Sequence, residues 1–375
     1  VALNLILIKL RLQWSCAKYH ALVMDVLIIG GGIIGLSIAV ELAKTQGRVG
    51  IIDGGFPGTA AQAAAGMLAP GAEQIPPGAM RDLCEASLRH YPAWIQDLEE
   101  RTGQTTGYWP CGIVVPVTSQ AAGHHRGLWL NREQLDQRQP GLGADFLGGW
   151  WYPDNGQVDN RLLHAVLYQA AQSLGVQFFS HETVVRIASQ GTQITQVVTH
   201  KASHQAGHYV LTTGAWTCKL LSLPVRPRKG QMLALQAPHA PGLNQVVFAS
   251  AYLVPRRDGR LVVGATSEDV GFQDGITAGG LHQLLATAMQ TYPPLQNWPL
   301  LETWWGYRPA TPDECPILGP SPWENLTLAT GHYRNGILLA PITAQVIGKY
   351  LNGHPWPAEL AFCRWDRFGH ALNLL

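Results

Sequence analysis

The sequence predicts an α/β domain, interrupted along the chain, joined to a second domain of α+β type built on an antiparallel sheet. Two observations carry this. A β–α–β rhythm opens at residues 26–53 and returns at residues 159–180. Between residues 225 and 300, several strand-like runs precede a single helical stretch instead. Length agrees, since 375 residues exceed one ordinary core. Residues 24–104, 154–224 and 304–375 are assigned to the first domain, and 105–153 and 225–303 to the second.

Val26–Ile29 is an unbroken apolar run, the pattern of a strand buried on both faces. Gly30-Gly-Gly-Ile-Ile-Gly35 follows, and Leu36–Lys44 then has helical spacing with small residues. A strand at Val49–Ile52 ends at Asp53, and Thr59–Gly66 reads as a loop of small residues. Ala79–Glu100 is helical, and residues 105–150 hold short strands, turns and a helix from Asn131. Asp159 suits the N-cap of a helix that runs to Leu174 and stops at Gly175. Val176–Ser180 and His208–Thr213 are strands, the latter stopping at Gly214. In the second domain Gln231–Gln236, Val246–Val254 and Arg260–Ala265 read as strands and Ala278–Tyr292 as a helix. Leu326–Ala329 returns to the first architecture, and Ile342–Leu351 is the last helix.

Apolar residues make up 46% and charged residues 14%, which describes a core-rich globular chain. A formal net charge of +1 supplies no global field toward nucleic acid or anionic lipid. Neither a nucleic-acid partner nor stable membrane insertion is expected. The six cysteines are scattered with no CxxC pair, so they read as thiols in a reducing compartment, the cytoplasm. His200, His204 and His208 recur every four residues, but KASHQAGHYV looks like a polar hairpin entering a strand, so no metal site is expected. In residues 1–23 the apolar run Leu5–Ile8 precedes Lys9 and Arg11, the reverse of a signal peptide, and is too short to span a bilayer. Met24 sits just ahead of the first strand, so residues 1–23 are expected to lie outside the fold, with an amphipathic membrane foot as the rival.

The glycine loop is the strongest chemical motif. Gly30 allows a tight turn, Gly32 lets a pyrophosphate approach the backbone, and Gly35 lets the helix pack closely on the sheet. The helix start at Ile33 and Ile34 presents free N–H groups and a positive dipole end to phosphate. Asp53 closes the next strand, where a carboxylate accepts hydrogen bonds from ribose hydroxyls. Strand, loop, helix, strand and acid fall in order, so a Rossmann-like dinucleotide site is expected. This motif leaves NAD and FAD open.

Three later segments bear on that choice: Ala64-Ala-Gly-Met-Leu68, Val210-Leu-Thr-Thr-Gly-Ala-Trp216, and Thr330-Gly-His-Tyr-Arg-Asn-Gly-Ile-Leu-Leu-Ala-Pro341. With the glycine loop they resemble the FAD contacts of the D-amino-acid oxidase class of flavoproteins. Over residues 24 to about 365 the chain is most similar to the glycine oxidases of thiamine (thiazole) biosynthesis. The phrases AAAGMLAP, YLVPRRDGRLVVGAT, GYRPATPDECPILG and GHYRNGILLAP carry that likeness. The resemblance implies FAD contacts at Ala65, Gly66, Met67, Val184, Thr213, Gly214, His332, Arg334, Asn335, Gly336, Ile337 and Leu338. It also implies that the last helix, starting near Ala340–Ile342, aims its N–H groups at the flavin pyrimidine edge, where reduction places negative charge. Some relatives attach FAD through a cysteine ahead of the TPDE-like stretch. Trp304-Trp-Gly-Tyr307 stands there, so FAD is expected to be non-covalent.

The implied activity is oxidative deamination of glycine, sarcosine and small D-amino acids. Hydride passes to the flavin, O2 is reduced to H2O2, and no protein base is assigned. A small carboxylate calls for a guanidinium, whose fork matches it. Arg308 occupies the position of the family's carboxylate arginine, Arg334 that of a second arginine, and Tyr252 that of a carboxylate-binding tyrosine. An ion pair competes as a reading for each arginine, and a plain sheet position competes for Tyr252. Lys229-Gly-Gln231 is read as a crossover strand without a catalytic task. The resemblance also implies a homo-oligomer, a tetramer in particular, and a functional link to thiazole synthase. A flavin dehydrogenase feeding a membrane quinone, an RNA-modifying flavoprotein and a non-catalytic flavin scaffold are the rival readings.

Overall fold

The computed structural model describes residues 24–375 apart from 46, 120–125, 240–241 and 370, so the expected extension at 1–23 lies outside the described residues. A six-stranded sheet runs in the order Ile317–Pro320, Leu326–Thr330, Ala206–Leu211, Met24–Ile29, Val49–Asp53, Gln177–Ser180. Its neighbours are parallel except for the antiparallel edge strand Ile317–Pro320. The apolar run at 26–29 is explained by burial on both faces. Val26 and Ile28 pack with the helices Ile33–Ala43, Ala79–Thr102, Asn160–Ser173 and Gly336–Leu351. Leu27 and Ile29 pack with a small sheet formed by Val184–Gln190, Gln193–Thr199 and Ser203–His204.

The second sheet has eight strands, in the order Leu300–Ala310, Arg226–Gln236, Arg260–Gly264, Tyr252–Pro255, Val246–Phe248, Ile113–Val117, Gly148–Tyr152, Leu128–Asn131. All neighbours are antiparallel except Val246–Phe248 against Ile113–Val117. One face is covered by the helix Ala278–Thr291, whose Leu284 and Ala288 join Leu233, Leu253 and Val263 in a single core. The α/β and α+β expectation therefore holds. No helix among the described residues is long and apolar enough to cross a membrane.

Several elements differ from expectation. Val246–Val254 is two strands, with Val247 paired to Leu253 and Phe248 to Tyr252 across a tight turn. An apolar run does not show where the chain reverses. Thr59–Gly66 contains one helical turn, Ala60–Ala63. Alanine favours it intrinsically, and Asn160 Nδ2 donates to Ala61 O at 2.8 Å. Leu300–Ala310 is one continuous strand paired along Arg226–Leu235, so residues 304–310 share a sheet with most of 225–303. His200 and His204 fall on a hairpin, where His204 meets Glu182 at 2.9 Å, and His208 falls on the strand Ala206–Leu211 that follows, where it meets Thr327 at 2.8 Å.

The largest correction concerns the last helix. It begins at Gly336, not near Ala340–Ile342, and carries Pro341 inside it. A proline cannot donate to the carbonyl four residues back, and its ring crowds that same carbonyl, which is why the sequence pattern starts the helix after Pro341. Tertiary contacts satisfy the freed acceptor, Ile337 O, and also reach the next carbonyl, Leu338 O. Tyr91 Oη donates to Ile337 O at 2.5 Å, and Ser87 Oγ donates to Leu338 O at 2.6 Å. Both donors lie on the buried face of the Ala79–Thr102 helix.

Candidate flavin and substrate site

Two adjoining cavities lie between the sheets. The larger measures about 390 Å³ and the smaller about 110 Å³. Ile33, Ala60, Ala61, Tyr333 and Gly336 wall both.

The larger cavity lies at the carboxyl ends of the parallel strands. Gly30, Gly32, Ile33, Ile34, Asp53, Val184, Thr213, Gly214, His332 and Gly336 line it. Its glycines do different work. Gly30 has φ +114°, and a Cβ there would lie 2.6 Å from Thr212 O. A Cβ on Gly35 would lie 2.0 Å from Gly30 O, so Gly35 sits beneath the loop and sets the helix–strand distance. Gly32 has no atom within 4 Å of an added Cβ and an extended backbone, so its missing side chain leaves open space. Directly after it the first turn of the helix offers N–H groups without intrahelical partners. His164 Nε2 holds Gly31 O at 3.1 Å. A cradle that a Cβ would fill, an open glycine and an acid at the next strand end together fit a dinucleotide.

His332 is buried, with Nε2 3.2 Å from Thr343 Oγ1. Burial pushes its imidazole down to about 3, so it stays uncharged beside the cavity at neutral pH. Tyr333 has φ +47°, a left-handed conformation unusual for a tyrosine, and its N–H donates to Pro309 O at 3.1 Å. Asn335 caps the last helix and Leu338 is turned into the core. Neither lines a cavity, because the helix starts at Gly336 and carries these two positions away from the opening.

Several segments meet at the smaller cavity: Ala65, Gly66, Met67, Tyr252, Arg308, Arg334 and Ile337 all line it. Gly66 has φ +77°, and a Cβ there would meet Val158 O at 1.9 Å. Arg256, which sequence reasoning missed, fixes this segment. It is buried, donates from Nη2 to Ala65 O at 2.8 Å, and has Nε 3.5 Å from the Asp159 carboxylate. Arg308 lies across Gly230, where a Cβ would come within 2.4 Å of Nη1, and it donates to Thr266 O at 3.2 Å. Burial raises the Tyr252 hydroxyl above its ordinary value, and the neighbouring Arg308 opposes that rise. Met232 Sδ accepts from that hydroxyl at 3.3 Å. Arg334 stands at the mouth, its side chain 51% exposed and 3.5 Å from Glu314.

Glu73 and Met232 also line the smaller cavity and went unnoticed in the sequence. Glu73 follows the small-residue phrase by a few positions, a charge after a long uncharged run, which was the available signal. Phe56, Trp216 and Tyr307 line the larger cavity and join Phe272 in an aromatic cluster, with Phe56 and Trp216 stacked at 5.0 Å. They come from four distant segments, and no local pattern links them. Cys315 lines neither cavity.

The fold and this paired site are those of a flavin-dependent oxidoreductase. Residues 25–350 match the model of the FAD dependent oxidoreductase family. Glycine oxidase of Geobacillus kaustophilus is 36% identical over 360 residues, covering 90% of this chain and 95% of the relative. The crystal structure of glycine oxidase from that organism superposes with a TM-score of 0.85 at 32% identity, covering 92% of this chain and 99% of the other. A protein of Synechocystis sp. described as bifunctional ThiO/ThiG is 55% identical over 336 residues, covering 87% of this chain and 51% of the relative. The chain spans about half the length of the ThiO/ThiG relatives it matches. The chain belongs to the FAD-dependent oxidoreductase family, within its glycine oxidase branch.

Proposed function

We propose that this chain oxidises glycine, and also sarcosine and small D-amino acids, to the imine and then the oxo acid. The observation that carries the proposal is the pairing of cavities. Arg308 and Tyr252 face a small cavity that shares the walls Ile33 and Gly336 with the dinucleotide cavity. FAD, held non-covalently in the larger cavity, supplies the electron acceptor and the route to O2 and H2O2. Arg308 takes the substrate carboxylate through its guanidinium fork, and the Tyr252 hydroxyl donates to the same group. Ile337 and Met67 close the apolar side of the cavity, and Arg334 stands at its entrance. The residues orient the substrate, and proximity supplies much of the rate.

The division into a flavin domain and a substrate domain, with residues 304–310 counted in the substrate sheet, belongs to this proposal, as do a cytoplasmic location and a homo-oligomeric state, a tetramer in particular. The bifunctional names of relatives about half of whose length this chain matches support a further step: the product feeds thiazole formation in thiamine biosynthesis, in company with a thiazole synthase. Anaerobic addition of glycine, sarcosine, D-alanine and D-proline tests the activity. At least glycine is expected to bleach the bound flavin, and readmitted O2 to yield peroxide. No bleaching by any of the four sinks the proposal, and bleaching without peroxide turns it into a dehydrogenase.

A further inference from the structure

Two charges of opposite sign face the smaller cavity without a partner of their own. Arg308 donates to the Thr266 carbonyl and makes no ion pair among the described residues. Glu73 is partly buried on the wall of the same cavity, and its carboxylate has neither a hydrogen bond nor an ion pair among the described residues. Arg334 differs, being half in water and matched by Glu314 at 3.5 Å. Burial raises the Glu73 carboxyl above its ordinary value, and Arg334 and Arg308 both oppose the rise, which places the charges within one another's field. Tyr252 lies in that field too.

We propose that Glu73 receives the ammonium group of the substrate, and that Glu73 and Arg308 together form a cradle for the zwitterion of a small α-amino acid. Withdrawing an unpaired charge from water is costly, and pairing it inside a cavity recovers that cost. An amino-acid zwitterion, the form present in neutral water, supplies both missing partners at once. Its carboxylate meets Arg308 and its ammonium donates to Glu73, each as a charge-assisted hydrogen bond. A ligand with the carboxylate alone meets Arg308 but brings its negative charge toward Glu73, and that repulsion disfavours it. The volume of about 110 Å³ limits the side chain to a small one. The ligand class is therefore a small free α-amino acid with an unacylated nitrogen, in preference to hydroxy acids, simple carboxylates and N-acyl amino acids. The inference rests on the amino-acid oxidase reading above.

The test uses the flavin-loaded protein and Glu73→Gln, which keeps the shape and removes the charge. Glycine and acetate are titrated anaerobically, following acetate by its perturbation of the flavin absorption band and glycine by half-saturation of bleaching. In the wild type, glycine is expected to bind more than tenfold tighter than acetate. In Glu73→Gln, glycine is expected to weaken at least tenfold while acetate tightens several-fold. A purely structural role weakens both ligands together, and that outcome overturns the proposal. Equal affinity for glycine and acetate in the wild type overturns it without any variant. Failure of the oxidase reading looks different: no amino acid bleaches the wild type. In that event glycine binding is followed by band perturbation, and the same opposed shifts still uphold the cradle.

Discussion

The larger cavity is walled mainly by consecutive stretches of chain at strand ends, whereas the smaller sets one such stretch, Ala63–Met67, against single residues from distant elements. Consecutive stretches such as Ile29–Ile34, Ile52–Gly54 and Thr212–Trp216, the ends of neighbouring strands and the loops beyond them, form the first. Isolated residues such as Tyr252, Arg308, Met232 and Glu73 supply the polar and bulky part of the second. The difference teaches where each kind of recognition resides. A pyrophosphate is met by N–H groups and by missing side chains, which one continuous motif can supply. A small zwitterion needs a few charged groups converging from several directions, and only a folded sheet and loop can deliver them.

Breaking each cavity separately should expose that contrast. The largest effect is expected from Gly35→Val, because even a Cβ would lie 2.0 Å from Gly30 O. The purified variant should carry no FAD, read from the ratio of flavin to protein absorbance; a fully loaded protein refutes the packing account. Arg308→Ala should do the reverse, keeping FAD while kcat/KM for glycine falls by about two to four orders of magnitude, since a buried carboxylate left unpaired costs about 3–5 kcal/mol. Unchanged kcat/KM would remove Arg308 from the site.

A third test sharpens the boundary between cofactor cavity and core. His332 is held neutral, its imidazole pushed from 6.5 down to about 3. The unfolded chain therefore binds the extra proton first. Stability is unaffected by this group above about pH 6.5 and falls below it, by at most about 1.4 kcal/mol per pH unit, until the folded group titrates. Urea unfolding between pH 7 and pH 4 should show a shallower decline for His332→Gln than for the wild type. Parallel slopes contradict the burial of a neutral imidazole. The smallest effect concerns the helix beside both cavities. Tyr91→Phe removes the donor to Ile337 O and should cost about 1–3 kcal/mol. Adding Pro341→Ala should return part of that loss, because residue 341 regains an N–H for the same carbonyl. A double variant as unstable as Tyr91→Phe alone would show that Tyr91 serves another role.

The sequence by itself determined the first βαβ unit, the three glycines and Asp53, because strand burial, turn geometry and helix start all act within thirty residues. It also placed Asp159 correctly at its N-cap, where the carboxylate accepts from Arg161 N and Leu162 N. Resemblance drew Tyr252, Arg308 and Arg334 from the chain, but their meeting in one cavity was a property of the two sheets. Tertiary structure alone decided the start of the last helix, since the hydroxyl that excuses Pro341 comes from Tyr91, 246 positions before the carbonyl it meets. It alone gave Arg256 its hold on Ala65, and it alone revealed Glu73 facing Arg308. The physical reason is range. Turns and caps are settled by neighbours along the chain, whereas the pairing or isolation of a charge depends on everything that folding brings within a few ångströms of it.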